Sequence, residues 1–263
     1  MTTNVPPQIF EPEYYQHLYD IEQAHWWAIG MRDVMIELFK KDVAQRQHLK
    51  VLDSGCGTGY LLGFLKRYSL DGEVVGLDYS THALRFCQQR GAGKLTLASS
   101  VTSPFADQSF DLIICIDTLQ HLSPVGADVI AIEEFARLLR PGGLAYVRTN
   151  SVLGHVPLEG TDPNQYRRYR RDLLSKTFEG AGLVVERATY VNCLPSVWAA
   201  LVEYATSRRN QTAAIGPGLA IRPQQGPFVS SLLRSELRLE AWLIGKGVDL
   251  PFGHSLAILA RKP

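Results

Sequence analysis

The sequence predicts a doubly wound α/β sheet, and three observations carry that expectation. Short apolar runs alternate with amphipathic helical stretches over most of the 263 residues, the pattern of βαβ units around a parallel sheet. The first run, Val51-Leu52-Asp53, stops in a turn with glycine at alternate positions, Gly55-Cys56-Gly57-Thr58-Gly59, before a helical stretch. About 20 residues further on, a second run, Glu73-Val-Val-Gly-Leu77, ends at Asp78. An acid at the tip of the second strand is placed to hold a ribose diol.

From about residue 10 to 46 the pattern is helical: Tyr14, Leu18 and Ile21 recur at helical spacing, followed by Trp26-Trp27 and then Val34, Ile36, Leu38 and Phe39. The first strand is expected at Lys50–Asp53, with a helix from the glycine turn to about Tyr68. The turn Asp71-Gly72 leads into a strand at Val74–Asp78. Ser80 or Thr81 offers a hydroxyl to cap the helix Ala83–Gln89, which stops at Gly91. Leu95–Ala98 is a short third strand. Ser109–Asp117 is a nearly continuous apolar run, as expected of a central parallel strand. A helix from about Gly126 to Leu139 ends at Arg140-Pro141-Gly142-Gly143, a helix stop and turn, before a strand at Leu144–Thr149. Arg171–Gly180 reads as a helix, with strands at Leu183–Val191 and Ser255–Ala260 closing a set of seven.

One domain over 1–263 accommodates these elements: a helical cap at 10–46, a sheet core at 50–191 and 253–263, and a helical insertion at 192–252 before the last strand. Within the insertion, Val197–Ser207 and Phe228–Ile244 are amphipathic and flank a stretch rich in Gly, Pro and Gln. The insertion is the natural place for a substrate cover.

The net charge of +1 gives no field of the kind nucleic-acid binders carry, so no nucleic-acid partner is expected. Four scattered cysteines with no C-x-x-C pair predict reduced thiols and a cytoplasmic protein. The N-terminus has no basic region followed by an apolar one, so no signal peptide is expected. No apolar run reaches the roughly 18 residues of a transmembrane segment. No grouping of His, Cys, Asp and Glu has metal-ligand spacing, and no metal is expected.

The spacing D-x-G-x-G-x-G from Asp53 to Gly59 departs from the dinucleotide pattern G-x-G-x-x-G. An acid at its head is awkward beside a pyrophosphate and suits a ligand with an ammonium or sulfonium. The pattern resembles the first motif of the class I S-adenosylmethionine-dependent methyltransferases. Pro104-Phe105-Ala106-Asp107-Gln108-Ser109-Phe110-Asp111 is similar to that family's approach to the fourth strand, Asp117-Thr-Leu-Gln-His121-Leu122 to its D-x-L-x-H segment, and Leu138-Leu139-Arg140-Pro141-Gly142-Gly143 to its LLRPGG turn. This resemblance covers residues 50–150. Ala24-His25-Trp26-Trp27 with Gly30 and Arg32, and the ending Leu250-Pro-Phe-Gly-His-Ser255 with Arg261-Lys262, resemble a bacterial subgroup acting on small molecules.

The resemblance implies a Rossmann-like seven-stranded sheet, and the N-terminal helix carrying Trp26 and Trp27 is expected to form a helical lid over it. It implies S-adenosyl-L-methionine as methyl donor and S-adenosyl-L-homocysteine as product. Asp53, Gly55, Cys56, Gly57 and Gly59 would meet the methionine end of the cofactor, Asp78 the ribose hydroxyls and Tyr79 the adenine. Where the family usually carries an acid for the adenine amine, this chain has Ser99, followed by Ser100. A serine accepts less strongly than a carboxylate, because charge-assisted bonds are about twice as strong. Asp117 and Thr118 would line the same mouth near the sulfonium.

Methyl transfer from a sulfonium is an in-line displacement in which the protein mainly aligns the reactants and excludes water. A general base is needed only for a hydroxyl or an acidic carbon. His121 is the catalytic candidate, the plain alternative being a histidine at a helix start that bonds a nearby carbonyl. His25 and Trp27 are expected at the acceptor, although helix docking explains buried indoles as well. Tyr166 and Arg168, in Tyr166-Arg167-Arg168-Tyr169-Arg170-Arg171, are expected to hold an acidic group of the acceptor, against the alternative of a solvated helix start. His155 is a further acceptor candidate, and Arg32 is a candidate partner for the cofactor carboxylate. Trp198, Trp242 and many Leu in the insertion suggest an apolar or amphiphilic small-molecule acceptor. Two rivals remain: cyclisation or decarboxylation on the same fold, and a peripheral membrane-surface or partner-binding module using residues 192–252.

Overall fold

The computed structural model describes residues 10–44, 46–69, 71–151, 167–193 and 226–263. Its strands are Lys50–Ser54 (β1), Glu73–Asp78 (β2), Lys94–Leu97 (β3), Phe110–Ile116 (β4), Leu139–Asn150 (β5), Val184–Val191 (β6) and Ser255–Arg261 (β7). They form one sheet in the order β3-β2-β1-β4-β5-β7-β6. The first five run parallel, and β7 lies antiparallel between β5 and β6.

Successive strand side chains point to opposite faces, and the sequence fills both. Leu112, Ile114, Leu144, Tyr146, Ala257 and Leu259 face one core. Their neighbours Ile113, Cys115, Ala145, Val147, Ile258 and Ala260 face the other. This two-sided burial is why β4, β5 and β7 read as continuous apolar runs rather than alternating ones.

The helices are Pro12–Ile21 (α1), Trp26–Val43 (α2), Leu62–Ser69 (α3), Thr81–Gln89 (α4), Ala127–Leu138 (α5), Arg171–Gly180 (α6) and Pro227–Gly245 (α7). α2, α3 and α7 cover the first face, and α5 and α6 the second. Ser80 caps α4 as its position predicts, its Oγ accepting from Ala83 N–H at 3.3 Å. Proline at the start of α1 and α7 occupies the turn where a missing N–H costs nothing.

The elements refine the expected ones. The helical stretch 10–46 is two helices, interrupted at Glu22–His25. α2 packs into the core: Met31, Val34, Met35 and Phe39 are fully buried, and Gly30 lets Leu237 of α7 approach so closely that a Cβ there would lie 2.5 Å from its Cδ1. The expected strand Leu144–Thr149 starts earlier, because Leu139 already pairs with Phe110 ahead of the register shift at the Arg140–Gly143 turn. Within the insertion, Val197–Ser207 and Trp198 lie outside the described residues, whereas Phe228–Ile244 is α7. Among the described residues, no helix is long and apolar enough to cross a membrane.

Candidate functional site

The strand order reverses between β1 and β4, and at such a switch point a crevice opens beyond the carboxyl ends of the strands. The glycine turn lies there. Gly55 and Cys56 donate their N–H groups to Leu77 O at 2.7 and 2.9 Å, and Gly57 donates to the Asp78 carboxylate at 2.9 Å. Gly55 and Gly57 have φ of 80° and 53°, a region other residues enter only at a cost. A Cβ on Gly55 would stand 2.1 Å from Thr118 Oγ1, so glycine is what lets the turn close on the segment after β4. At Gly57 a Cβ would meet nothing within 4 Å, leaving the backbone open to a ligand.

Three carboxylates gather around this turn. Asp53 is 2% exposed, and no described residue donates a hydrogen bond to it. Burial, with the fields of Asp78 and Glu22, pushes its carboxyl up to about 7. Asp78 is also raised by burial, against the backbone N–H groups of Ser80, Gly57 and Tyr79 that pull it down. Glu22 is raised by burial to about 7 despite Thr58 and Arg90, the latter 2.6 Å away. Arg90 is therefore the guanidinium that answers the acids, and it is spent on Glu22. Ionised carboxylates without a counter-charge are costly to bury, so the turn is built to receive a cation.

Around the mouth, Tyr79 is exposed and meets the ring of Phe10 edge-on, centroids 5.6 Å apart. Phe10 in turn meets His121 at 5.4 Å, so one aromatic residue bridges the two sides of the opening. His121 ends the 3-10 turn Leu119–His121, and burial holds its pKa down to about 4 against the opposing field of Asp117. Thr118 Oγ1 bonds Ile116 O at 3.1 Å. Asp117 is paired with Arg148 of β5, whose guanidinium lies 4.7 Å over the Trp27 ring. Ser54 donates to Ser100 Oγ at 2.9 Å, and Ser99 Oγ accepts from Val101 N–H at 3.3 Å.

The expected cofactor positions Asp53, Gly55, Gly57, Asp78, Tyr79, Ser99, Ser100 and Thr118 thus converge at one edge of the sheet. Cys56 contributes backbone, since its thiol is buried 3.8 Å from that of Cys87. Asp117 shares its carboxylate with Arg148. His25 is buried and caps α2, Nδ1 accepting from Trp27 N–H at 3.2 Å. Both tryptophans are buried, Trp26 stacking on His25. The arginine cluster divides: Arg167 bonds Asp128 and the carbonyls of Leu122 and Pro124, while Arg168 is exposed. His155 and Tyr166 lie outside the described residues. Glu22, Arg90, Phe10 and Arg148 escaped the sequence reading; only Arg148, a lone charge inside an apolar strand, left a local signal.

A family model described as a methyltransferase domain matches residues 52–147. A demethylmenaquinone methyltransferase of Staphylococcus aureus (strain MRSA252) is 32% identical over 109 residues, 40% of this chain and 44% of that protein. A Mus musculus protein named "Probable tRNA methyltransferase 9B" is 36% identical over 93 residues, 35% of this chain and 20% of that one. The matches span less than half the length of these curated relatives. A solved SAM-dependent methyltransferase from Archaeoglobus fulgidus superposes with a TM-score of 0.57 at 15% identity, covering 95% of this chain and 100% of that one, a likeness of fold.

Proposed function

We propose that this chain, whose residues 52–147 match a methyltransferase-domain model, is a class I S-adenosylmethionine-dependent methyltransferase that methylates a small apolar or amphiphilic molecule. The observation that carries this reading is Asp53, a buried acid with no described counter-ion at the head of a turn open to a ligand. S-adenosylmethionine, which is the cofactor, fits these residues: its ammonium and sulfonium answer the excess negative charge of Asp53 and Asp78. Asp78, with about four lone-pair sites, keeps acceptor capacity for a ribose diol beyond the Gly57 and Ser80 N–H groups it already holds. Arg32 stacks 4.5 Å from the Phe64 ring and has Nε buried without an acceptor, which suits the cofactor carboxylate. Bound there, the cofactor supplies an electrophilic methyl group; the chain's part is to align it and keep water away.

For the acceptor, Trp27, under the Arg148–Asp117 pair, and His121, beside Phe10, are the residues proposed to meet it, with Arg168, His155 and Tyr166 as further candidates. Two features support an amphiphilic acceptor. One is the similarity to an enzyme named for demethylmenaquinone. The other is one face of α7, itself part of the substrate cover proposed for 192–252, where Phe228, Leu232, Leu239 and Trp242 stand exposed. Against a tRNA acceptor stands the arginine cluster, which turns Arg167 inward.

The test is calorimetry with S-adenosylmethionine and S-adenosylhomocysteine on the wild type and Asp78→Ala, then a methylation screen of prenylated quinols, phenols, amines and tRNA. Wild type should bind both cofactor forms, and Asp78→Ala should lose at least tenfold in affinity. Wild type binding neither, or methylating only tRNA, would overturn the reading.

A further inference from the structure

Gln120 precedes His121 in the turn Leu119–His121, and its surroundings dictate how its amide is turned. Its Oε1 accepts from Asn150 N–H at 2.9 Å and from Thr149 Oγ1 at 3.2 Å. A backbone N–H only donates, so the oxygen must face β5 and the NH2 group the other way. Nε2 of Gln120 then stands 3.3 Å from Nε2 of His121. Two N–H groups cannot face each other across that distance, so the histidine presents a lone pair there.

We propose that Gln120 is a positioning residue that locks His121 in the tautomer with its proton on Nδ1 and its Nε2 lone pair engaged. The inference deepens the methyl-transfer reading and rests on it for the chemical consequence, whereas the tautomer itself does not. Burial keeps the ring neutral well below neutral pH, with Asp117 the acid acting against it, so a single tautomer is the relevant state. Gln120 is itself buried and tied a third way, its carbonyl accepting from Arg167 N–H at 3.2 Å. Its side-chain amide is therefore held by β5, and its backbone by the chain leading to α6.

A ring held this way carries an N–H and has no spare lone pair for an acceptor's proton. His121 is then not the general base of the transfer. The acceptor class that fits is one already anionic near neutral pH, such as an acidic phenol or an enolisable dione. Its own ionisation supplies the nucleophile.

The experiment is a long-range proton–nitrogen NMR correlation of the imidazoles at neutral pH in the ligand-free full chain, with His121 assigned by the signals lost in His121→Gln. The expected wild-type spectrum has a protonated Nδ1 and an unprotonated Nε2. Gln120→Glu keeps an oxygen for Asn150 and Thr149 while replacing the NH2 by an acceptor, and should move the proton to Nε2. A wild-type ring protonated at Nε2, or a tautomer unchanged in a folded Gln120→Glu, overturns the proposal. If that variant fails to fold, the wild-type spectrum alone decides. No methyl acceptor enters the measurement, so failure of the methylation screen and failure of the tautomer are told apart.

Discussion

Replacing Asp53 by Asn should move stability and cofactor affinity in opposite directions. The acid is 2% exposed beside Asp78 and Glu22, and its carboxyl is displaced from 3.8 to about 7. At about 1.4 kcal/mol per pKa unit, keeping it ionised in the ligand-free fold costs about 4 kcal/mol, or ~2 after relaxation and water entry. The folded value lies above the unfolded one, so between about pH 4 and pH 7 the folded state holds the extra proton. Stability therefore falls as pH rises through that window, and the full cost is present above it. Glu22 is raised to about the same value, and the acids titrate as a group; the variant removes only the share of Asp53. An amide left without a partner costs roughly 1–3 kcal/mol, but equally at every pH. Urea denaturation of both proteins at several pH values isolates the charge contribution: the variant should gain ~2–4 kcal/mol relative to wild type between about pH 4 and pH 8. In the same variant S-adenosylmethionine should bind at least tenfold more weakly, about 1.4 kcal/mol. Wild-type affinity should climb towards about pH 7 as Asp53 ionises, and then level. A stability difference that does not grow with pH, or an unchanged affinity, would refute the reasoning.

Gly55→Ala should destabilise by about 3 kcal/mol, from a Cβ 2.1 Å from Thr118 Oγ1 and a left-handed φ of 80°. A Thr118→Ala background should restore the steric part, and denaturation midpoints equal to wild type in the single variant would refute the close packing. Glu240 is buried on α7 and accepts from Asn192 and Cys193 N–H, each at 2.8 Å. Glu240→Ala strands both donors and should cost about 3 kcal/mol; a thermal shift equivalent to less than about 1 kcal/mol would show that this anchor is dispensable.

What was legible in the sequence was local. A strand buried on both faces announces itself as an apolar run, as Leu112–Cys115 does, and a cap needs only a hydroxyl at the right offset, as Ser80 has. The glycine turn was legible because its demands are backbone demands met within a few residues. The break between α1 and α2 was not, since apolar spacing runs through Glu22–His25 and the cap is a histidine, a residue equally at home inside a helix. Nor were the charge assignments at the mouth. Arg148 takes its meaning from Asp117, 31 positions away, and from a tryptophan on α2. Nothing in the sequence around Glu22 distinguishes it from Glu11 or Glu13, which are exposed.

The placement of Glu22 joins the N-terminal helix to the cofactor turn. Arg90 at the end of α4 donates to Glu22 at 2.6 Å and to Tyr19 O at 3.1 Å, and its Nε donates to Thr58 O at 2.9 Å. Its guanidinium also lies 4.2 Å over the Tyr19 ring, which packs on Phe86. One half-buried cation thus holds α1, the turn and α4 together. Bonds to a charged group contribute roughly 1.5–3 kcal/mol each, so α1 cannot lift away without breaking the bonds of Arg90 to Glu22 and Tyr19 O and that of the Thr58 hydroxyl to Glu22. With Arg90 committed to Glu22, Asp53 and Asp78 remain the unanswered charges. The helix docking over the site supplies an acid that absorbs the local guanidinium, and the ligand must then bring the positive charge itself.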